Sequence, residues 1–262
     1  LKKALEQDIR VTTQFYLNRY FSPRENLLDM INLPKYLVQE KFDLIHTHLS
    51  HDHFLGVMAV MLSRKKNPIR LLRTNHKGIP LSHKHWNRFF LSHFTHHLIA
   101  ISQQALQGDR QSFNQVSLVY GGIDPCRFQP NPRNSLFASS LGLKEDSLVL
   151  GIVARMQRRR RLPQFLEAIS LVIKQIPELK VLIVGRGTHA CEVKDKAQGL
   201  GLMNNVIFTG YRDNDYQEIL ACMDAEAYLV PGSDGSCRAV MEAMALGKPI
   251  VASGRGVLPE LI

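Results

Sequence analysis

Apolar runs of strand length alternate with amphipathic segments of helix length along almost the whole chain, and this alternation restricts the fold more than any other feature. A short apolar run, bounded by turn residues and followed by a helical stretch, is how a βα unit reads in sequence. Repeated, such units build a parallel sheet with helices packed on its faces. In the first half, strands are expected over 43–48, 69–75, 97–102 and 116–120, with helices around 54–64, 83–93 and 103–113. Strands resume over 148–153, 179–184, 206–209, 225–230 and 249–252, separated by helices near 163–175, 189–199, 213–223 and 237–246. Between the two series, residues 121–134 hold Gly121, Gly122, Pro125, Pro130 and Pro132, the composition of a connecting loop. Two α/β domains follow, 1–130 and 131–262, which 262 residues accommodate. The chain opens in what reads as a helix and stops just past a helix start, so residues are expected to be missing at both ends, more of them at the front. The first domain is therefore expected to be incomplete.

Composition narrows the class. With 45% hydrophobic and 21% charged residues and no biased tract, the chain is neither disordered nor fibrous. No apolar run approaches the roughly 18 residues of a membrane span, and the first ten residues lack the order of a signal peptide, so the sequence reads as cytoplasmic. Cys126, Cys191, Cys222 and Cys237 are scattered, with no C-x-x-C pair, which argues against a zinc knuckle or a disulfide scaffold. The formal charge is +10, and by Pro130 the chain has used 17 of its 33 Lys and Arg but only 9 of its 23 Asp and Glu. A basic first half attracts nucleic acid, anionic lipid headgroups or phosphorylated small molecules; a solvated surface kept soluble by charge is an equal alternative.

The most informative segment is VPGSDGSCRAVMEAMALG, residues 230–247, set between an apolar strand and the further strand KPIVAS. Gly232 and Gly235 allow a tight backbone turn, Ser236 can cap the next helix, and the first N–H groups of that helix, near Cys237, Arg238 and Ala239, would face an anion such as a diphosphate. Asp234 precedes the helix and Glu242 lies about a turn and a half inside it, one carboxylate on each side of the anion site. Glu242 could accept two hydrogen bonds from a ribose diol, and Asp234 could meet hydroxyls of a sugar beyond the phosphates. The plainer alternatives are a turn residue for Asp234 and a solvated helix residue for Glu242.

This segment resembles the family 4 retaining glycosyltransferases, whose donor motif is written E-x7-E and continues A-M-A-x-G-x-P-[IV]-[IV]-A; here the continuation is the run from Ala243 to Ala252. Asp234 stands at the first acidic position, followed by Gly-Ser-Cys where the family has Gly-Phe-Gly. Gly151-Ile152-Val153-Ala154-Arg155, with the arginine run 158–161 after it, places Arg155 and Arg160 where the family has an arginine and, five residues later, a lysine. The resemblance implies that both cations clamp the donor phosphates and stabilise the leaving diphosphate. A solvated charge run or a nucleic-acid patch is the alternative for the rest of that run.

Gly185 and Gly187, with Ala190, satisfy a G-x-G-x-x-A fingerprint, but no acidic residue ends the next strand to hold a dinucleotide ribose. The loop is instead similar to the family's V-G-x-G turn beside the nucleotide. Tyr211-Arg212-Asp213 is similar to the base-side loop, with Asp213 as a simple helix cap the competing reading. In the first half, Asp43-Leu44-Ile45-His46-Thr47-His48 looks like the family's D-V-V-H-x-H strand, and Tyr120-Gly121-Gly122-Ile123-Asp124 with Arg127-Phe128 and Pro130 looks like its crossing between domains.

The spacing of His46, His48, His51 and His53 invites a metal, but two alternate on a strand and two begin a helix, so convergence and a metal site are not expected. His76 is the histidine expected to contact acceptor or donor sugar. Taken together, the resemblance implies a GT-B α/β fold, two Rossmann-like domains facing a cleft. It also implies transfer of a sugar from a UDP- or GDP-sugar to a hydroxyl with retention of configuration and no required cofactor. The acceptor is expected to be a glycan, a lipid-linked or a phosphorylated molecule in surface-glycan synthesis, at the inner face of the cytoplasmic membrane, with no specific nucleic acid. A nucleotide-sugar epimerase of the same shape and a basic nucleic-acid-binding protein are the alternatives.

Overall fold

The computed structural model describes residues 9–18, 22–63, 68–81, 85–111, 113, 115–231 and 235–262. The chain divides into two compact units, Leu1–Val119 and Tyr120–Ile262.

The first unit runs α1 (Pro23–Gln39), β1 (Leu44–Thr47), α2 (Ser50–Leu62), β2 (Arg70–Asn75), α3 (His85–Phe94), β3 (His97–Ala100), α4 (Gln103–Arg110) and β4 (Val116–Leu118). Its four strands are parallel and pair in sequential order. Helix α1 falls where no helix is expected from the sequence. Pro23 supplies the preset φ of a first turn, and Pro34 lies inside the helix, where it removes a donor and blurs the pattern. Asp29, buried on this helix, accepts the backbone N–H groups of Tyr16 and Leu17 at 3.0 and 2.8 Å, tying the preceding segment to α1. Beneath α2 lies a polar contact inside the core. Arg73 donates to His53 Nδ1 at 3.2 Å, so His53 Nε2 carries the proton and donates to Thr95 Oγ1 at 2.7 Å. Burial, and then the Arg73 charge, hold His53 down to about 3.

The second unit runs α5 (Ser135–Ser140), β5 (Val149–Val153), a 3₁₀ turn over Arg158–Arg160, α6 (Leu162–Ile173), β6 (Lys180–Val184), α7 (Ala190–Gly199), β7 (Val206–Gly210), α8 (Tyr216–Ala221), β8 (Ala225–Tyr228), α9 (Arg238–Ala245), β9 (Ile250–Ala252) and α10 (Leu258–Leu261). All pairings are parallel and the order is β7-β6-β5-β8-β9. Strand β6 is apolar on both faces because both are covered. Val181 and Ile183 pack with Leu162, Phe165, Leu166 and Ile169, an i, i+3, i+4, i+7 stripe of α6. Leu182 and Val184 turn the other way, onto Ile219 and Leu220 of α8 and onto Phe128 of the connecting loop. Gly151 is glycine for a packing reason: a Cβ there would lie 2.0 Å from the Met223 sulfur.

Candidate functional site

Strand order locates the site of the second unit. From β5 the chain moves outward through β6 and β7, then returns to the other side of β5 for β8 and β9. In open parallel sheets the crevice beyond the carboxyl ends of the two strands at such a reversal is where ligands bind. Here those strands are β5 and β8, and the ladder between them consists of Leu150 with Ala225 and Gly151 with Glu226.

The turn after β5 brings the arginine run to this crevice. Arg160 donates from Nη1 to the carbonyl oxygen of Val230, just past β8, at 2.7 Å, so its guanidinium spans the reversal point; its Nε is buried without a partner among the described residues. Arg155 is exposed on the same turn, while Arg158, Arg159 and Arg161 point to solvent. Tyr228 lies under Arg160. Burial, followed by the neighbouring Cys237, pushes its hydroxyl up to about 12 against the opposing pull of Arg160.

Gly185 and Gly187 have a packing role. A Cβ at Gly185 would lie 2.1 Å from the Ala154 carbonyl oxygen, and one at Gly187 would lie 2.1 Å from that of Met156. Lacking side chains, they let the turn after β6 lie against the turn that carries Arg155.

Asp234 and Gly232 fall outside the described residues. Gly235 and Cys237 are buried, Ser236 is half-buried and Arg238 is exposed. The helix cap expected at Ser236 falls instead on Cys237, which adopts the left-handed conformation (φ 50°) and makes no side-chain capping bond. A residue in that conformation cannot offer the extended geometry of a serine-type cap. Gly121 packs against this corner, where a Cβ would come 2.6 Å from that of Ser236. The N–H groups of Arg238 and Ala239 open α9 with no backbone acceptor among the described residues.

Glu242 is not a solvated helix residue: it is 8% exposed, and the Tyr216 hydroxyl donates to its Oε2 at 3.0 Å. Burial raises its pKa, opposed by that hydrogen bond and by the charges of Arg238 and Arg127. Burial, then the two carboxylates Glu242 and Glu226, push Tyr216 upward, so its hydroxyl remains a donor. Phe128 stacks edge-on against Tyr216 at 6.2 Å.

The carboxyl end of β7 adds a further edge. A bulge between Ile183 and Val184 pairs Val184 with Gly210, whose φ of 73° turns the chain into Tyr211. Tyr211 is exposed, and the Arg186 guanidinium sits over its ring at 4.8 Å. Asp213 is not the helix cap it could have been: α8 starts three residues later, with Asp215 at the cap position and paired to Arg212 at 2.8 Å.

Tyr216, Tyr228 and Glu226 belong to no motif in the sequence. The signal for Glu226 was a lone acid inside an apolar strand. It is 0% exposed, and neither carboxyl oxygen has a hydrogen-bond partner among the described residues.

In the first unit, His48 and His76 meet through Nδ1 and Nε2 at 2.9 Å, and the rings of His46 and His48 pack at 4.2 Å. Strand β1 ends at Thr47, so His48 lies in the turn and is free of the strand's alternation. His46 also meets Thr74 Oγ1 at 2.7 Å, and burial, with His48 and His76 beside it, lowers its pKa. His51 and His53 turn away, to Asn26 and Thr95.

Two parallel α/β units, the second with Arg160 spanning its reversal point, place the chain among the doubly wound α/β proteins. The model of the family described as Glycosyl transferases group 1 matches residues 135–262, and that of Glycosyltransferase Family 4 matches residues 2–127. The chain belongs to the family 4 glycosyltransferases of the GT-B type. It is 27% identical to the UDP-Gal:alpha-D-GlcNAc-diphosphoundecaprenol alpha-1,3-galactosyltransferase of Escherichia coli, over 97% of this chain and 68% of that protein. It is 26% identical to the putative glycosyltransferase EpsD of Bacillus subtilis (strain 168), over 92% of this chain and 66% of that one. The chain thus spans about two thirds of the length of these relatives. Among solved structures, Anabaena HepE in complex with UDP and glucose matches at a TM-score of 0.78 with 24% identity, over 100% of this chain and 72% of that one.

Proposed function

We propose that the second unit binds a nucleoside-diphosphate sugar beyond β5 and β8, for transfer of the sugar to a hydroxyl with retention of configuration. The observation that carries this reading is Arg160 donating to Val230 across the reversal between β5 and β8, with α9 opening a few residues later in the chain and carrying the buried, Tyr216-supported Glu242. The opening N–H groups of α9, with Arg155 and Arg160, hold the diphosphate and stabilise the charge that grows on it as the sugar leaves. Glu242 accepts the ribose hydroxyls, Tyr211 borders the base, and Asp234 meets hydroxyls of the transferred sugar. His76, in the first unit, contacts acceptor or sugar. Gly185 and Gly187 shape the turn beside the nucleotide. No side chain is assigned as a covalent nucleophile, so rate comes from holding the leaving group and orienting the acceptor.

UDP is the favoured nucleotide, because the E. coli relative is named for UDP-Gal and the HepE structure holds UDP. A lipid-linked or phosphorylated glycan acceptor fits the diphosphoundecaprenol substrate of that relative and the poly(glycerol-phosphate) named for another, from Bacillus subtilis. The test is incubation with a panel of UDP-sugars, with and without a polyprenyl-diphosphate sugar, followed by NMR of the product's anomeric proton. Transfer with the donor's configuration kept supports the reading. Inverted product, or sugar converted without any acceptor as an epimerase would do, contradicts it.

A further inference from the structure

Two glutamates of the second unit share one interior. Glu226, on β8, is 0% exposed with both oxygens unpartnered, and Glu242, on α9, is 8% exposed and accepts the Tyr216 hydroxyl. Two carboxyls interacting in a low-dielectric setting do not both ionise, and the one with fewer donors keeps its proton. The surroundings of the pair are unequal. Glu242 has Tyr216 as a donor and the charges of Arg238 and Arg127 in its favour. Around Glu226, the Val153 amide of β5 lies close without completing a hydrogen bond to either oxygen, α8 offers Tyr216, α9 offers the repelling Glu242, its own strand offers Tyr228, and β9 pairs it with Ile250. No cation is among these groups.

We propose that Glu226 is a positioning residue of the donor site, a carboxylic acid kept neutral behind Glu242 so that Glu242 alone carries the charge that accepts the donor's ribose. This rests on the reading of Glu242 given above. Burial, and then Glu242, push the Glu226 pKa well above the ordinary carboxylate range, in line with this division of roles. The consequence is an upper pH limit on donor binding. Once Glu226 ionises, its charge repels the Glu242 carboxylate from its place beside Tyr216, and the ribose acceptor is lost.

Two measurements on the 262-residue chain test this. The first is infrared difference spectroscopy at pH 7 of wild type against Glu226→Gln. A protonated-carboxyl C=O band that the substitution removes is expected; Glu226→Met, apolar and of similar length, gives the same assignment if the Gln variant does not fold. Absence of that band overturns the proposal. The second is calorimetric titration with UDP from pH 6.5 to 9. Wild-type affinity is expected to fall by about tenfold per pH unit once Glu226 ionises, whereas Glu226→Gln gives a flat profile. A purely structural residue would leave the shape of the profile as in wild type, and that result also overturns the proposal. If wild type binds no UDP at any pH, or Glu242→Ala binds it equally well, the donor-site reading fails and the positioning role with it. The infrared band reports the Glu226 proton independently of that outcome.

Discussion

At Gly185 the backbone sits at φ 138°, with the Ala154 carbonyl oxygen 2.1 Å from where a Cβ would be. Gly201 shares a positive φ, at 70°, but has nothing within 4 Å. The two positions separate backbone strain from collision. Gly201→Ala is expected to cost about 1 kcal/mol, the left-handed penalty alone. Gly185→Ala is expected to cost at least about 2 kcal/mol, because the turn carrying Arg155 must also shift. Urea unfolding of both variants checks the difference. At His53 the pKa is depressed in the fold from 6.5 to about 3, so the unfolded chain takes up the proton first as pH falls. The stability this group contributes is present above pH 6.5 and is lost as pH drops toward about 3. NMR of the His53 ring at pH 5 should show a neutral imidazole with its proton on Nε2; a charged ring there would contradict the buried Arg73 contact. Glu226 works in the opposite direction. Its raised pKa means that the fold holds a proton the unfolded chain releases, so its contribution declines as pH rises above the ordinary carboxylate value of 4.5.

Strand β6 is the element on which the second unit depends, since Val181, Leu182 and Ile183 are all 0% exposed. Ile183→Ala is expected to cost about 2–5 kcal/mol, from lost burial and the cavity left under α6; a loss below about 1 kcal/mol in chemical unfolding would contradict this packing. The same strand explains what could be read without coordinates. Among the described residues each expected strand is present, its ends within two residues of the expected span, because short apolar runs bounded by turn residues mark it; β6 is the clearest, being buried on both faces. Helix α1 was not legible, since Pro23 and Pro34 read as breakers and much of its face is exposed. The positions of Arg155, Arg160 and Glu242 were legible as a motif. The Tyr216 hydroxyl on Glu242 and the nearby Glu226 were not, because Tyr216 and Glu226 precede Glu242 by 26 and 16 residues and belong to other elements. The cap expected at Ser236 failed for a local reason: the left-handed turn at Cys237 moves the helix start by one residue.

For the molecule as a whole, the first half carries most of the basic excess behind the net charge of +10, and no helix among the described residues is long and apolar enough to cross a membrane. We propose peripheral binding to an anionic membrane surface, an attraction that ions screen over about 10 Å at 0.1 M salt. Vesicles containing anionic lipid should therefore bind the chain better than neutral vesicles at low salt and lose that advantage at high salt; equal binding to both would remove the proposal. Donor binding is tested most directly by calorimetric titration of the chain with UDP, GDP and ADP, repeated on Glu242→Ala and Arg155→Ala. UDP is expected to bind in preference to the others, Glu242→Ala to weaken it by roughly tenfold or more through loss of a charge-assisted acceptor, and Arg155→Ala to weaken it as well. Failure of the wild-type chain to bind any of the three, or UDP binding that neither substitution changes, would contradict the donor-site reading.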